Sequence, residues 1–256
     1  MLKNIFSIVF CVYLVSVKAV YAQDTLKVVS LEYRPMVYTE NGVQKGIGLD
    51  TLMEMARRAN VKIDVEIIPW VRAVAMVKEG EVDGIFPAAR TPERETYGIF
   101  MNRPLYISVY GIFVKKGNEF KYDDINSLAG KKIGIISGNL FGDAFEKSKK
   151  DGLFSVDENG HDVEQNFNKL ISGRFDAFIV TSIVGVYTAK RMGILDKITL
   201  LPQPLNDGVP QFFFISKKSK ITDKENIIRS MDNAFTEMIK DGTESKIDDK
   251  YLAGIP

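Results

Sequence analysis

The chain has one cysteine, one histidine and one tryptophan among its 256 residues, and each scarcity closes off a chemistry. Cys11 lies inside the first apolar run, so the rest of the chain can form neither a disulfide nor a thiolate metal site. His161 stands alone in "DENGHDVE", a turn-rich polar stretch that reads as exposed surface. A single histidine with no cysteine supplies no zinc set and no partner for Ser-His or Cys-His catalysis. Neither sign of charge dominates: 34 Lys and Arg stand against 33 Asp and Glu. A nucleic-acid binder needs a basic stripe to release counterions, and this balance argues against one. The paired acids of "DDIN" and "KIDDK" fall on solvated turns. No metal and no cofactor are expected.

Only one long apolar run is present. "MLKN" sets Lys3 ahead of "IFSIVFCVYLVSV", a run too short to span a bilayer comfortably. "VYA", Val20 to Ala22, offers small residues for cleavage, with Gln23 as the mature start. A signal peptide over 1–22 is therefore expected, and the protein is read as exported to the periplasm. A membrane anchor is the alternative, opposed by the short run and by Lys18 within it. Phe10 stands before Cys11 where a lipobox needs a small residue, which argues against lipid attachment. Cleavage of a 22-residue leader leaves 234 of the 256 residues, enough for one or two cores. Lys3 and Lys18 leave with it, so 34 basic side chains become 32 against 33 acids, a net of −1.

The mature chain alternates strands and helices. "TLKVVSLEY" alternates apolar and polar residues as a strand does. "GLDTLMEMARRANV" carries Leu49, Leu52, Met53, Ala56 and Ala59 at helical spacing, with Arg57 and Arg58 toward solvent. "VKIDVEIIP" is a strand, "WVRAVAMVKEGEV" a helix closing at Gly80, and "VDGIFPAA" a third strand. The pattern then restarts through "SLAGKKIGIISG", the helix of "NLFGDAFEKSKKDG", the helix and strand of "VEQNFNKLISGRFDAFIVTS", and the helix of "IVGVYTAKRMG". Between the halves lies "YISVYGIFVKKG", and after them "GVPQFFFISKKS", both β-rich and without a helix. A last helix is read over "KENIIRSMDNAFTEMIKDG". Two α/β units joined by two extended crossings predict two lobes with a cleft between them.

One stretch is electrostatically odd. In "PAARTPERETYG", Thr91 reads as an N-cap, Pro92 as the first helical residue, and Glu93 and Glu95 as first-turn acids. Arg94 in that turn meets the positive end of the helix dipole, so either it points away or an anion lies nearby. The anion could be a neighbouring glutamate or a ligand.

The chain resembles the bacterial extracytoplasmic solute-binding proteins of the polar amino-acid type, which have the bilobal type II periplasmic binding fold. The residues that carry this are "EYRPMVYTENGVQKGIGLD", "GEVDGIFPAARTPERE", "LAGKKIGIISGN" and "LISGRFDAFIV", in that order along nearly the whole mature chain. The resemblance implies an α/β fold of two Rossmann-like lobes with a two-stranded hinge. The first lobe would span 24–110 plus 212–256, and the second 111–211. Ligand would bind between them as they close.

The resemblance also nominates residues. "TPER" puts Arg94 where the family's arginine binds a ligand carboxylate, a role that suits a guanidinium's paired donors. Trp70 matches an aromatic that stacks on the ligand, and Tyr33 the family's cleft tyrosine. Arg72 and Arg90 either add charge at the cleft mouth or are simply solvated. "ISGNLFGD" places a Gly-flanked turn at a helix start, where Asn139 would cap the helix or donate to ligand. Three positions depart from the family. Ala89 replaces a small hydroxyl residue, Leu140 replaces Thr or Ser, and Thr181 stands near the acid that pairs with a ligand ammonium. Glu32 is the alternative acid for that ammonium.

The expected function is capture of a small carboxylate-bearing ligand, an amino acid or related compound, for an ABC permease in the inner membrane. A ligand sensor for a membrane receptor and a cyclohexadienyl-dehydratase-like enzyme, with Glu32 as its acid, are the alternatives. The protein is expected to act as a monomer.

Overall fold

The computed structural model describes residues 25–160 and 162–253. The leader read over 1–22, Cys11 within it, and His161 lie outside them. The chain opens with β1 (Leu26–Ser30), a hairpin of β2 (Tyr38–Glu40) and β3 (Val43–Lys45), and α1 (Ile47–Arg58). β4 (Ile63–Ile67), α2 (Trp70–Glu79), β5 (Gly84–Ala89) and α3 (Pro92–Tyr97) follow, then β6 (Gly98–Phe100) and β7 (Tyr106–Ser108). The middle of the chain holds β8 (Tyr110–Lys115), β9 (Lys132–Ile136), α4 (Asp143–Lys150) and β10 (Ser155–Gly160). It continues with α5 (Val163–Ile171), β11 (Ala177–Thr181), α6 (Ser182–Met192) and β12 (Ile198–Leu200). β13 (Val209–Ser216), α7 (Lys224–Lys240) and α8 (Thr243–Leu252) complete it.

These strands form two main sheets with the same plan. In the first, β4, β1 and β5 are parallel, and β13 runs antiparallel beside β5 and pairs with β6 and β7. In the second, β10, β9 and β11 are parallel, and β8 runs antiparallel between β11 and β12. The central strands are the ones with unbroken apolar sequence: "GIFPAA" of β5 and "AFIVT" of β11 are buried at every residue. A strand covered on both faces needs no polar alternation.

The chain passes between the sheets where β7 ends at Ser108 and β8 begins at Tyr110, and returns just before β13. Ser108 and Val209 are registered partners, so the two crossings lie side by side. Gly208 makes that pairing sterically open. It has φ +106°, and a Cβ there would sit 2.3 Å from Ile107 Cγ2.

The structure corrects several local readings. On α1 the buried methionine is Met55, whereas Met53 is exposed, because the buried stripe through Gly48, Thr51, Leu52 and Met55 lies on the side of Leu52 away from Met53. Arg58 is not simply solvated; it pairs with Glu54 at 2.8 Å and with Asp241 at 2.7 Å. Helix α4 starts only at Asp143, capped by Gly142 in an extended left-handed conformation. Part of the supposed turn around "DENG" is the edge strand β10, and α8 follows the helix that sequence periodicity ended on. Among the described residues no helix is long and apolar enough to cross a membrane.

Candidate functional site

Arg94 is the centre of the site. Thr91 caps α3 by accepting from the Arg94 amide at 3.2 Å, and Pro92 occupies the first turn, as the sequence pattern requires. The guanidinium turns back toward the end of β5, where Nη1 donates to the Ala89 carbonyl at 2.9 Å. Only 8% of the residue remains exposed. Neither adjacent acid neutralises it. Glu93 pairs with Lys78 at 2.9 Å, and Glu95 with Arg90 at 2.5 Å. Burial lowers the Arg94 pKa from its usual range, with Tyr97 opposing the shift. Among the described residues this buried cation has no carboxylate partner.

Arg94 borders a pocket walled by both sheets. Leu31, Tyr33, Trp70 and Ala89 come from the first, and Tyr110, Asn139 and Leu140 from the segment of the second. Its inner volume is about 40 Å3. A single water needs ~10–15 Å3 on that measure, so the space suits a carboxylate-sized group. Beyond Tyr33 and Trp70 it meets an outer cleft of about 620 Å3. The Arg94 guanidinium carbon lies 5.5 Å from the Trp70 ring centre, a cation–π distance.

Two hydrogen bonds close the lobes over this pocket. Trp70 Nε1 donates to the Gly138 carbonyl at 3.2 Å, and the Tyr33 hydroxyl donates to Thr181 Oγ1 at 2.9 Å. Gly138 has φ +81°, and a Cβ there would lie 2.9 Å from Trp70 Cδ1, so glycine lets the indole reach the opposite lobe. Burial pushes the Tyr33 hydroxyl up to about 12, which keeps it a neutral donor.

The other nominated residues divide. Ala89, Asn139 and Leu140 line the pocket. Asn139 does not cap α4, since the helix begins four residues later; its amide instead donates to the Ile136 carbonyl at 3.3 Å. Arg72 is exposed on α2 and Arg90 is held by Glu95 and lies over Phe100, so neither lines the pocket. Thr181 stands behind Tyr33 rather than in the lining. Glu32 borders the outer cleft, where Arg34 and the Thr39 amide engage its carboxylate.

Sequence reading missed Tyr106, Ser108, Tyr110 and Gln211, which also line the inner pocket. All four lie on the crossing segments. Gln211 was detectable: it is the one amide side chain in "GVPQFFFIS", and it is 7% exposed. Burial raises both Tyr106 and Tyr110 above the ordinary tyrosine range.

Several known proteins are similar to this chain in sequence and shape. The probable amino-acid-binding protein YxeM of Bacillus subtilis is 25% identical over 220 residues, covering 85% of this chain and 80% of its own. A solved ancestral arginine-binding protein bound to arginine superposes with a TM-score of 0.75 at 24% identity, covering 89% of this chain and 98% of that one. An ancestral amino-acid-binding protein described as a precursor of cyclohexadienyl dehydratase gives 0.71 at 24% identity, with 89% and 94% covered. These likenesses establish the two-lobe type II fold. The model of the bacterial extracellular solute-binding proteins, family 3, matches residues 26–254, and the chain belongs to that family.

Proposed function

We propose that the protein binds a small carboxylate-bearing molecule between its lobes and presents the closed form to an ABC permease in the inner membrane. The carrying observation is Arg94: an arginine 8% exposed, in an interlobe pocket, with no acid paired to it among the described residues. Leaving a buried charge unpaired costs several kcal/mol unless a ligand supplies the opposite charge. The planar donors suit a carboxylate, and the inner volume suits that group alone. Trp70 and Tyr33 then face the rest of the ligand, with Asn139 and Leu140 meeting it from the other lobe. A ligand touching both lobes shifts the closure equilibrium toward the closed form.

Binding is favoured over catalysis because, among the described residues, the inner lining contains no carboxyl or amine to move a proton. Glu32, the residue a dehydratase would need, is half exposed and held by Arg34. Export through a cleaved leader and action as a monomer belong to the same reading.

Thermal-shift screening against carboxylates, followed by calorimetry, tests it. A true ligand at a hundredfold excess over Kd stabilises the protein by about 2.7 kcal/mol. Arg94→Ala should abolish that shift without lowering the unliganded melting temperature, since it removes an unpaired buried charge. A large loss of unliganded stability would mean the arginine is structural, and prephenate turnover would replace binding with catalysis.

A further inference from the structure

We propose that the ligand carries a carboxylate but no α-ammonium group: a deaminated acid with an apolar or aromatic body, rather than an amino acid. This rests on the carboxylate reading above and concerns what else the pocket accepts.

Among the described residues Arg94 is the one charged side chain in the inner lining. A monoanion would neutralise it. A zwitterion would bring its own cation, and that cation cannot go elsewhere. Backbone geometry puts an α-nitrogen about 2.5 Å from its own carboxylate carbon, so with the carboxylate on Arg94 the ammonium must sit in the inner pocket.

Its described neighbours there, Arg94 apart, are neutral, so their oxygens offer an ammonium dipoles but no counter-charge. The Ala89 carbonyl accepts from Arg94 Nη1, and Thr181 Oγ1 accepts from the Tyr33 hydroxyl. Tyr106 and Tyr110 are protonated, because burial raises both. Gln211 donates to the Val209 carbonyl at 3.1 Å, leaving its side-chain oxygen as a neutral acceptor only.

Acids do border the outer cleft, but each is committed. Glu32 is held by Arg34 and the Thr39 amide, Glu158 by Lys149, and Asp162 caps α5 through the Gln165 amide. None of them lines the inner pocket. An α-ammonium would thus be buried beside a guanidinium without a counter-charge, the costly arrangement for an ion in low dielectric. The remaining surface, from Leu31, Ala89, Leu140 and the Trp70 ring, suits carbon rather than charge.

Isothermal titration of the wild-type protein with matched pairs decides this: phenylalanine against hydrocinnamate and phenylpyruvate, and leucine against isocaproate. The deaminated member of at least one pair should bind roughly thirtyfold or more tightly than its amino acid. If the amino acid binds as tightly or more tightly, this inference falls while the carboxylate reading stands. If no carboxylate of either kind binds, the carboxylate reading falls and takes this inference with it.

Discussion

The Tyr33 hydroxyl donates to Thr181 Oγ1 at 2.9 Å, joining residues 148 positions apart on opposite lobes. The bond does two things at once. It ties the lobes together on the inner side of the cleft, and it occupies the second-lobe position where related proteins are expected to carry an acid. Trp70 Nε1 to the Gly138 carbonyl forms the other tie. Tyr38 also meets Tyr187 of α6; burial, and then the Tyr187 hydroxyl, raise its pKa.

Tyr33→Phe removes the first tie and keeps the ring. A net hydrogen bond is worth about 0.5–1.5 kcal/mol, so ligand affinity should fall about two- to tenfold. Small-angle scattering of the unliganded variant should show a larger radius of gyration than wild type. An unchanged radius and affinity would mean the bond does not hold the lobes.

Gly138→Ala attacks the second tie. The left-handed φ of +81° and the 2.9 Å approach to Trp70 both oppose a Cβ. Backbone strain alone is about 1–2 kcal/mol, and the indole must withdraw from the carbonyl. Since Trp70 is the sole tryptophan, its emission reports directly: the variant should emit to the red of wild type and bind ligand about tenfold more weakly.

Thr181→Asp supplies a carboxylate behind Tyr33. It should raise affinity for amino acids relative to their deaminated analogues by about tenfold or more, measured by calorimetry on the same matched pairs. The melting temperature of the variant serves as the control for folding. No change in the ratio would show that an acid here does not reach the ligand.

Asp248 on α8 predicts a pH effect on stability. Burial first, then Glu244 and Asp249, push its carboxyl up from 3.8 to about 6. The folded state therefore keeps this proton longer than the unfolded state. Stability falls as pH rises from the unfolded value through about 6, and the full penalty applies above it. Asp248→Asn should raise the unfolding free energy near neutral pH by about 1 kcal/mol after discounting for its partial exposure, seen as a higher melting temperature, and have little effect near pH ~4. Equal effects at both pH values would contradict the shift.

Legibility in the sequence followed local chemistry. The Thr91 cap, Pro92 and the first-turn acids were readable because each acts within one turn, and the apolar runs of β5 and β11 marked the central strands. Met53 was misplaced because methionines two positions apart, Met53 and Met55, offer nearly equal helical stripes until the partner surface is known. Arg72 and Arg90 could not be separated from Arg94 by sequence: all three are cations near helix starts, and only packing exposes the first, pairs the second with Glu95, and buries the third. Tyr106 and Tyr110 escaped because crossing segments carry no pattern that says which face meets the cleft.

By itself the sequence determined the two α/β repeats, the two extended crossings, and the presence of an arginine at a capped helix start. Periodicity, turn residues and caps are short-range, so they survive without knowledge of the fold. Tertiary structure alone decided that Thr181 is engaged by Tyr33 and that, among the described residues, Arg94 has no carboxylate partner and no acid enters the inner pocket. Charge pairing depends on distances of a few ångströms, and those distances are set by how the elements pack rather than by spacing along the chain.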